Sequence, residues 1–395
     1  MKYFNKSLLT LLISSVCAPN FVSADVQISG FGSIVAGRTL DDVTLDNVGY
    51  DWSKPPSAEN PPSITKEQIL TADFYDVGQY NNDFSFKSET IFALQIVADM
   101  GDKLKVTGQI VAKGTDDFSP EFDWYYLTYQ ATDELTLMAG RRNIPMYYFS
   151  EYSEVGYAYP WMRPPSNLYW WQVTQFNGVH AMYEFSLGDF SNTVTFFYGN
   201  EYSNDNKEME YYEVLYGGSP SAVNEYWTDI IGMNWNLSGD FFDVRFVYFQ
   251  NDRDRDVIAQ DGSIGDYTPF SQQFLGFGGT IDLSRFTFLF DWNLVTYDDA
   301  HGTEFPTYLI SAVYNMDDFH PYISYSKADH KRDKRENTQD YEEHYMLSYG
   351  IRYDFNPSAS FKIQYDTFVD EAVPESGWRY HGDSDTVTIG VDFIF

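Results

Sequence analysis

Charged side chains of both signs cluster in residues 141–163: Arg141 and Arg142 are adjacent, Glu151 and Glu154 follow, and Arg163 closes the set. Fixed charges spaced this way can set a field across a narrow gap, which is how channels sort ions. They can equally pair off as solvated neighbours, so their role depends on what positions them. Residues 139–165 hold seven aromatics, Tyr147, Tyr148, Phe149, Tyr152, Tyr157, Tyr159 and Trp161, punctuated by Pro145, Pro160, Pro164 and Pro165. Each proline fixes φ and removes a donor, which stiffens a segment without regular structure. The rings have two uses. They pack the segment against a wall, or they form a stacking track for sugar-like solutes. Tyr147 and Tyr152 join the charged residues as candidates for a constriction.

Other chemistry finds little support. The six histidines (His180, His301, His320, His330, His344 and His381) show no ligand spacing, so no metal is expected. Asp252, Asp254 and Asp256 alternate like the start of a calcium loop, but Val257 stands at the sixth position and Ser263 at the twelfth, which rejects an EF-hand. Phosphate-loop, dinucleotide and serine-hydrolase signatures are missing, and no cofactor is called for. An enzymatic constellation assembled only by folding is the remaining alternative of another class, alongside an adhesion barrel with a plugged lumen. The formal net charge of −33 argues against nucleic acid as a partner.

The N-terminus reads as a secretory leader over residues 1–24. Lys2 and Lys6 precede an apolar run from Leu8 to Val16, too short to span a bilayer as a helix. Val22-Ser23-Ala24 offers a cleavage site before Asp25. A lipoprotein signal at Cys17 fits less well, because Val16 precedes it. Cleavage would remove the only cysteine, leaving residues 25–395 without disulfides and dependent on burial and backbone pairing.

Beyond the leader the chain alternates with period two. In Arg285–Val295, Phe286, Phe288, Phe290, Trp292 and Leu294 face one way, and Arg285, Thr287, Asp291 and Asn293 the other. Leu104–Lys113, Tyr345–Phe355 and Thr386–Phe395 repeat the pattern. Short connections at 101–103, 132–134, 187–190, 238–240, 282–284, 316–319 and 356–358 alternate with long ones at 41–82, 114–121, 143–170, 203–224, 254–269, 299–304, 330–340 and 373–384. Seven short turns and eight long loops require 16 strands. A soluble sandwich also alternates, but paired charges and small residues on the polar side suggest a wet face, and aromatics crowd the strand ends like interfacial girdles. The fold class is therefore all-β: a transmembrane antiparallel barrel with short periplasmic turns and long external loops. In lipid every backbone group must pair within the protein, so the sheet must close. Sixteen strands leave an aqueous lumen.

The leader, the opening strand Val26–Ser33, Gly140-Arg141 ending a fifth strand, the long segment after it and the terminal Phe395 together resemble a Gram-negative general porin. The resemblance covers the whole mature chain at the level of pattern. It implies a homotrimer in the outer membrane of a Gram-negative bacterium, with the third long loop folded into the lumen. It also implies that Phe395 is read by the outer-membrane assembly machinery. The first loop, 41–82, is long for such a family and is a candidate latch onto a neighbouring subunit.

By this count residues 143–170 are the third loop. Glu151 and Glu154 form its expected acidic side, and Arg141, Arg142 and Arg163 the basic side. Parity puts Thr136, Met138, Gly140 and Arg142 on the lumen face, favouring Arg142 over Arg141. Lys105, Lys113, Arg245, Arg285 and Arg352 are further candidate wall cations. The expected function is passive diffusion of small hydrophilic solutes and ions with a mild cation preference. A channel selective for a sugar is the alternative that the aromatics raise.

Overall fold

The computed structural model describes residues 25–46, 63–67, 70–71, 79–169, 171, 173–204, 221–265, 267–299, 302–329, 343–371 and 383–395. The leader expected over 1–24, most of the first loop and the whole of the seventh lie outside the described residues, as do parts of the fourth and eighth long loops.

Sixteen antiparallel strands close into one barrel. In chain order they are β1 (Val26–Thr39), β2 (Ile91–Asp99), β3 (Leu104–Lys113), β4 (Pro120–Gln130), β5 (Leu135–Asn143), β6 (Gln175–Leu187), β7 (Phe190–Ser203) and β8 (Ala222–Gly239). The second half comprises β9 (Phe242–Ile258), β10 (Phe270–Leu283), β11 (Phe286–Tyr297), β12 (Glu304–Tyr314), β13 (Phe319–Asp329), β14 (Glu343–Asn356), β15 (Ala359–Asp370) and β16 (Ser384–Ile394). Each strand pairs with its sequence neighbours, and β1 closes onto β16 from Phe31 opposite Ile394 to Thr39 opposite Thr386. Phe395 completes the seam, exchanging backbone hydrogen bonds with Gly30 at 2.9 and 3.0 Å.

The burial pattern is inverted relative to a water-soluble protein. Along β15 and β16 the buried side chains include Ser360, Lys362, Gln364, Asp366, Thr386, Thr388 and Asp392, while Ile363 and Ile389 face outward. A soluble fold would hide the isoleucines and solvate the charges. A barrel in lipid does the reverse, because its outer face meets hydrocarbon. Period-two alternation therefore gives strands here for the usual reason, with the faces exchanged.

The short turns lie at the end where the chain enters and leaves the barrel. Gly188-Asp189 is a two-residue hairpin turn, and Gly188 takes the positive φ of 62° that such turns demand. At the opposite end the return limb of the first loop bends back into the barrel mouth. Gly37 exchanges backbone hydrogen bonds with Ser85, both 3.0 Å, and Tyr80 is buried against Met346 and Phe368 on the inner wall. This part of the first loop faces the lumen; the segment expected to latch a neighbour lies largely outside the described residues.

Candidate channel constriction

The chain between β5 and β6, residues 144–174, makes its contacts with the inner face of the barrel. Its local shape is set by short-range bonds: Ile144 N–H donates to the Thr174 carbonyl (2.7 Å), Tyr147 N–H to Ser150 Oγ (2.8 Å) and Asn143 Nδ2 to the Ser150 carbonyl (2.7 Å). Two single turns of 3-10 helix, Ser150–Tyr152 and Gly156–Ala158, carry the glutamates between them.

The aromatics form a buried core. Phe149 meets Tyr148, Tyr152, Tyr159 and Trp161 at ring-centroid distances of 4.9, 5.5, 5.9 and 5.4 Å, all edge-to-face. Tyr147 packs on Tyr169 at 4.4 Å and on Phe274 of β10 at 5.8 Å. Trp171 meets Trp227 of β8 and Phe305 of β12. The wall opposite them is apolar too: Phe176, Phe197, Phe249, Phe274, Leu289, Leu309 and Val313 all face inward and are buried. The face that alternation marks as wet thus also carries a block of apolar side chains. From β6 to β12 the inner wall meets an inserted segment rather than water, so apolar side chains satisfy it. Rings buried this way stiffen the loop. Tyr147 is only 4 % exposed, and of the two tyrosines assigned to the constriction Tyr152 alone keeps substantial access to the opening. Burial pushes the Tyr152 phenol up to about 12, so it stays neutral.

Polar side chains of the wall fix the loop backbone. Asp291 accepts from Tyr148 N–H (3.0 Å) and Tyr169 O–H (3.1 Å), and Tyr148 O–H donates to Asp243 (2.7 Å). Lys362 Nζ donates to the carbonyls of Gly156 (2.5 Å) and Trp161 (2.6 Å) and lies 2.9 Å from Asp392. Arg352 donates to the carbonyls of Tyr157 (2.7 Å) and Tyr159 (3.1 Å), and Met162 N–H to Gln364 (2.7 Å). Only glycine fits at 156, since a Cβ there would collide with Asp392 Oδ1.

The predicted cations divide. Arg163 is 8 % exposed, and its partners are residues other than Glu151 and Glu154; it reaches Asp392 at 3.7 Å and donates to the carbonyls of Met162 (2.8 Å) and Glu89 (2.5 Å). Arg141 forks Glu201 with two 2.7 Å contacts and bonds Gln175. Arg245 is buried and approaches the Tyr148 carbonyl at 3.4 Å, so it too contacts the loop backbone. Arg285 sits on an exposed short turn beside Tyr314, and Lys105 lies near Asp99 at the short-turn end. Two cations meet the loop glutamates. Lys113 Nζ stands 2.5 Å from Glu154 Oε1, and Arg142 Nη2 stands 3.4 Å from Glu151 Oε1. The Arg142 guanidinium also covers the rings of Tyr126 (5.0 Å) and Trp124 (5.9 Å), a cation–π arrangement that holds it against the wall.

Two cavities flank these pairs. One, of about 90 Å³, opens on the long-loop side between Ser88–Ile91 and the inserted loop. The other, of about 240 Å³, lies toward the short turns and is lined by Gln95, Gln109, Asp123, Glu151 and Tyr152 among others. Asn143, Ser153 and Glu154 line both. The sequence reading missed Glu89, Asp123, Lys362, Gln364 and Asp392. Alternation could have found Lys362, Gln364 and Asp392, which occupy inward positions of β15 and β16; nothing periodic marks Glu89. Burial raises the Glu89 carboxyl, an effect that the nearby Arg163 opposes. Among the described residues no group of three or more His, Cys, Asp or Glu is placed to hold a metal ion.

A family model described as Gram-negative porin matches residues 13–372. No curated protein matches the sequence. Among solved structures, the chain is similar to the outer membrane channel DcaP of Acinetobacter baumannii, with a TM-score of 0.58 and 12% identity over 95% of this chain and 99% of that one. Salmonella typhi OmpF in complex with daunomycin gives 0.53 and 14%, covering 94% and 98%. An anion-selective porin from Comamonas acidovorans gives 0.53 and 12%, covering 94% and 100%. At these identities the likeness is one of fold.

Proposed function

The chain belongs to the Gram-negative porin family, whose members form channels in the outer membrane, and from that premise we propose that it passes small hydrophilic solutes and ions by passive diffusion with a mild cation preference. The observation that carries the reading is the sharing of Asn143, Ser153 and Glu154 by the cavities on either side of the inserted loop. A solute moving between those cavities passes the Lys113–Glu154 and Arg142–Glu151 pairs. Each pair is close to neutral and Arg163 offsets Glu89, so selectivity falls to the remaining carboxylate of the path, Asp123. A negative local potential concentrates cations, and enclosed charges are screened less than those on external loops. The alternative of a sugar track has less support, because most rings of the loop are buried in packing. In this reading the protein has no catalytic role, works as a homotrimer and begins at Asp25 once its leader is removed.

Planar-bilayer recording tests the proposal. In symmetric KCl the expected result is a steady ohmic conductance, and in a salt gradient a reversal potential that favours K⁺ over Cl⁻. A chain that inserts and gives no conductance contradicts the pore, and a preference for Cl⁻ contradicts the cation assignment.

A further inference from the structure

The cavity on the long-loop side has an uneven supply of polar atoms. Four charged residues line it: Glu89, Glu154, Lys113 and Arg163. Both cations are already engaged, Lys113 by Glu154 Oε1 and Arg163 by Asp392 and two carbonyls. Among the acceptors, Glu154 Oε2 is buried and has no hydrogen-bond partner among the described residues, and Ser166 Oγ, on the same cavity, is in the same condition. Glu89 is 8 % exposed and receives one bond, from Tyr80 O–H at 2.9 Å. A buried acceptor without a donor costs about 1–3 kcal/mol, more when charged, which favours a hydrogen-bond donor here. A group that donates hydrogen bonds and carries positive charge would complement these acceptors. Ile91, Met146, Tyr147 and Pro164 add apolar wall that suits a short stem, among polar neighbours such as Ser88, Asn143 and Gln175.

We propose that this cavity is a binding station for the primary ammonium group of a small cationic solute, held between Glu89 and Glu154 with Ser166 as a third contact. The station deepens the channel reading and rests on it, since it names the solute class that pauses on the path. Glu89 gives it a character that the inserted loop alone would not: the residue comes from the return limb of the first loop, so two segments of the chain enclose the site. Both carboxylates would make charge-assisted hydrogen bonds, roughly twice as strong as neutral ones.

The test uses the full-length protein in a planar bilayer with propylammonium as the probe. Propylammonium should reduce the K⁺ current in a saturable way, at concentrations where 1-propanol and propionate leave it unchanged. Glu89→Gln and Glu154→Gln should each weaken the apparent affinity about tenfold, the equivalent of about 1.4 kcal/mol. Equal block by 1-propanol would overturn the ammonium assignment, and unchanged affinity in both variants would overturn the site. Open-channel current before any probe is added tests the pore reading separately. Should that current be absent, ligand-observed NMR on the detergent-solubilised protein decides the station. Saturation transfer to propylammonium that disappears in both variants supports it, and no transfer to the wild-type protein overturns it.

Discussion

Lys362→Met is expected to loosen the inserted loop and raise both the mean conductance and its open-channel noise. Lys362 has no exposed surface, and its ammonium holds two loop carbonyls, those of Gly156 and Trp161, beside the equally buried Asp392. Methionine nearly conserves the volume, so the cavity contribution is small and the polar loss dominates. The substitution leaves Asp392 with Arg163 at 3.7 Å as its remaining cationic partner and strips both carbonyls of their donor. Removing one partner of a buried ion pair costs about 3–5 kcal/mol, because the other charge stays buried. Asp291 still holds the loop at Tyr148 and Tyr169, so the barrel should persist while the loop end near residues 156–162, left to Arg352 and Gln364, loosens. Single-channel recording together with thermal melting checks this. Wild-type conductance, noise and melting in the variant would mean that Lys362 does not secure the loop.

The second large effect is on selectivity. Reversing Glu151 and Glu154 together to lysine changes the loop charge by four units beside Lys113 and Arg142. Two attractive pairs become two repulsive ones at 2.5 and 3.4 Å in the present geometry. A charge a few Å from the path shifts an ion's energy by about 4 kcal/mol at an effective dielectric constant of 20. About 1.4 kcal/mol between cation and anion barriers already changes the permeability ratio tenfold. The reversal potential in a KCl gradient should therefore change sign, from K⁺-preferring to Cl⁻-preferring. An unchanged reversal potential would place the ion path away from these residues.

The barrel was legible in the sequence because lipid imposes a strict rule on every strand. Ile363 and Ile389 must face outward and Lys362, Gln364 and Thr388 inward, so alternation survives throughout β15 and β16. Turn lengths then placed residues 143–170 third among the long loops. Less legible was which inward charge meets which part of the loop. Lys362 and Gly156 lie 206 positions apart, and Arg352 and Tyr157 lie 195 apart, and no local pattern encodes such a match. Arg163 illustrates the difficulty: its place beside the glutamates in sequence suggested a partner across the opening, yet its bonds run to Glu89 and Asp392 behind the loop. The apolar inner wall of β6 to β12 was hidden for a related reason. Phe249 and Phe274 stack at 5.1 Å on a face that alternation alone assigns to water, and the segment that covers them comes from elsewhere in the chain.

In the proposed channel the solute path runs between the inserted loop and the wall of β2 to β5, past residue 153. Ser153 lines both flanking cavities, and the only cysteine of the chain is Cys17, within the expected leader. Ser153→Cys thus puts a single thiol on the path. Reaction with a positively charged methanethiosulfonate reagent during single-channel recording should lower the conductance in discrete steps, from either side of the membrane. Complete modification, verified by mass, with the conductance unchanged would contradict the account.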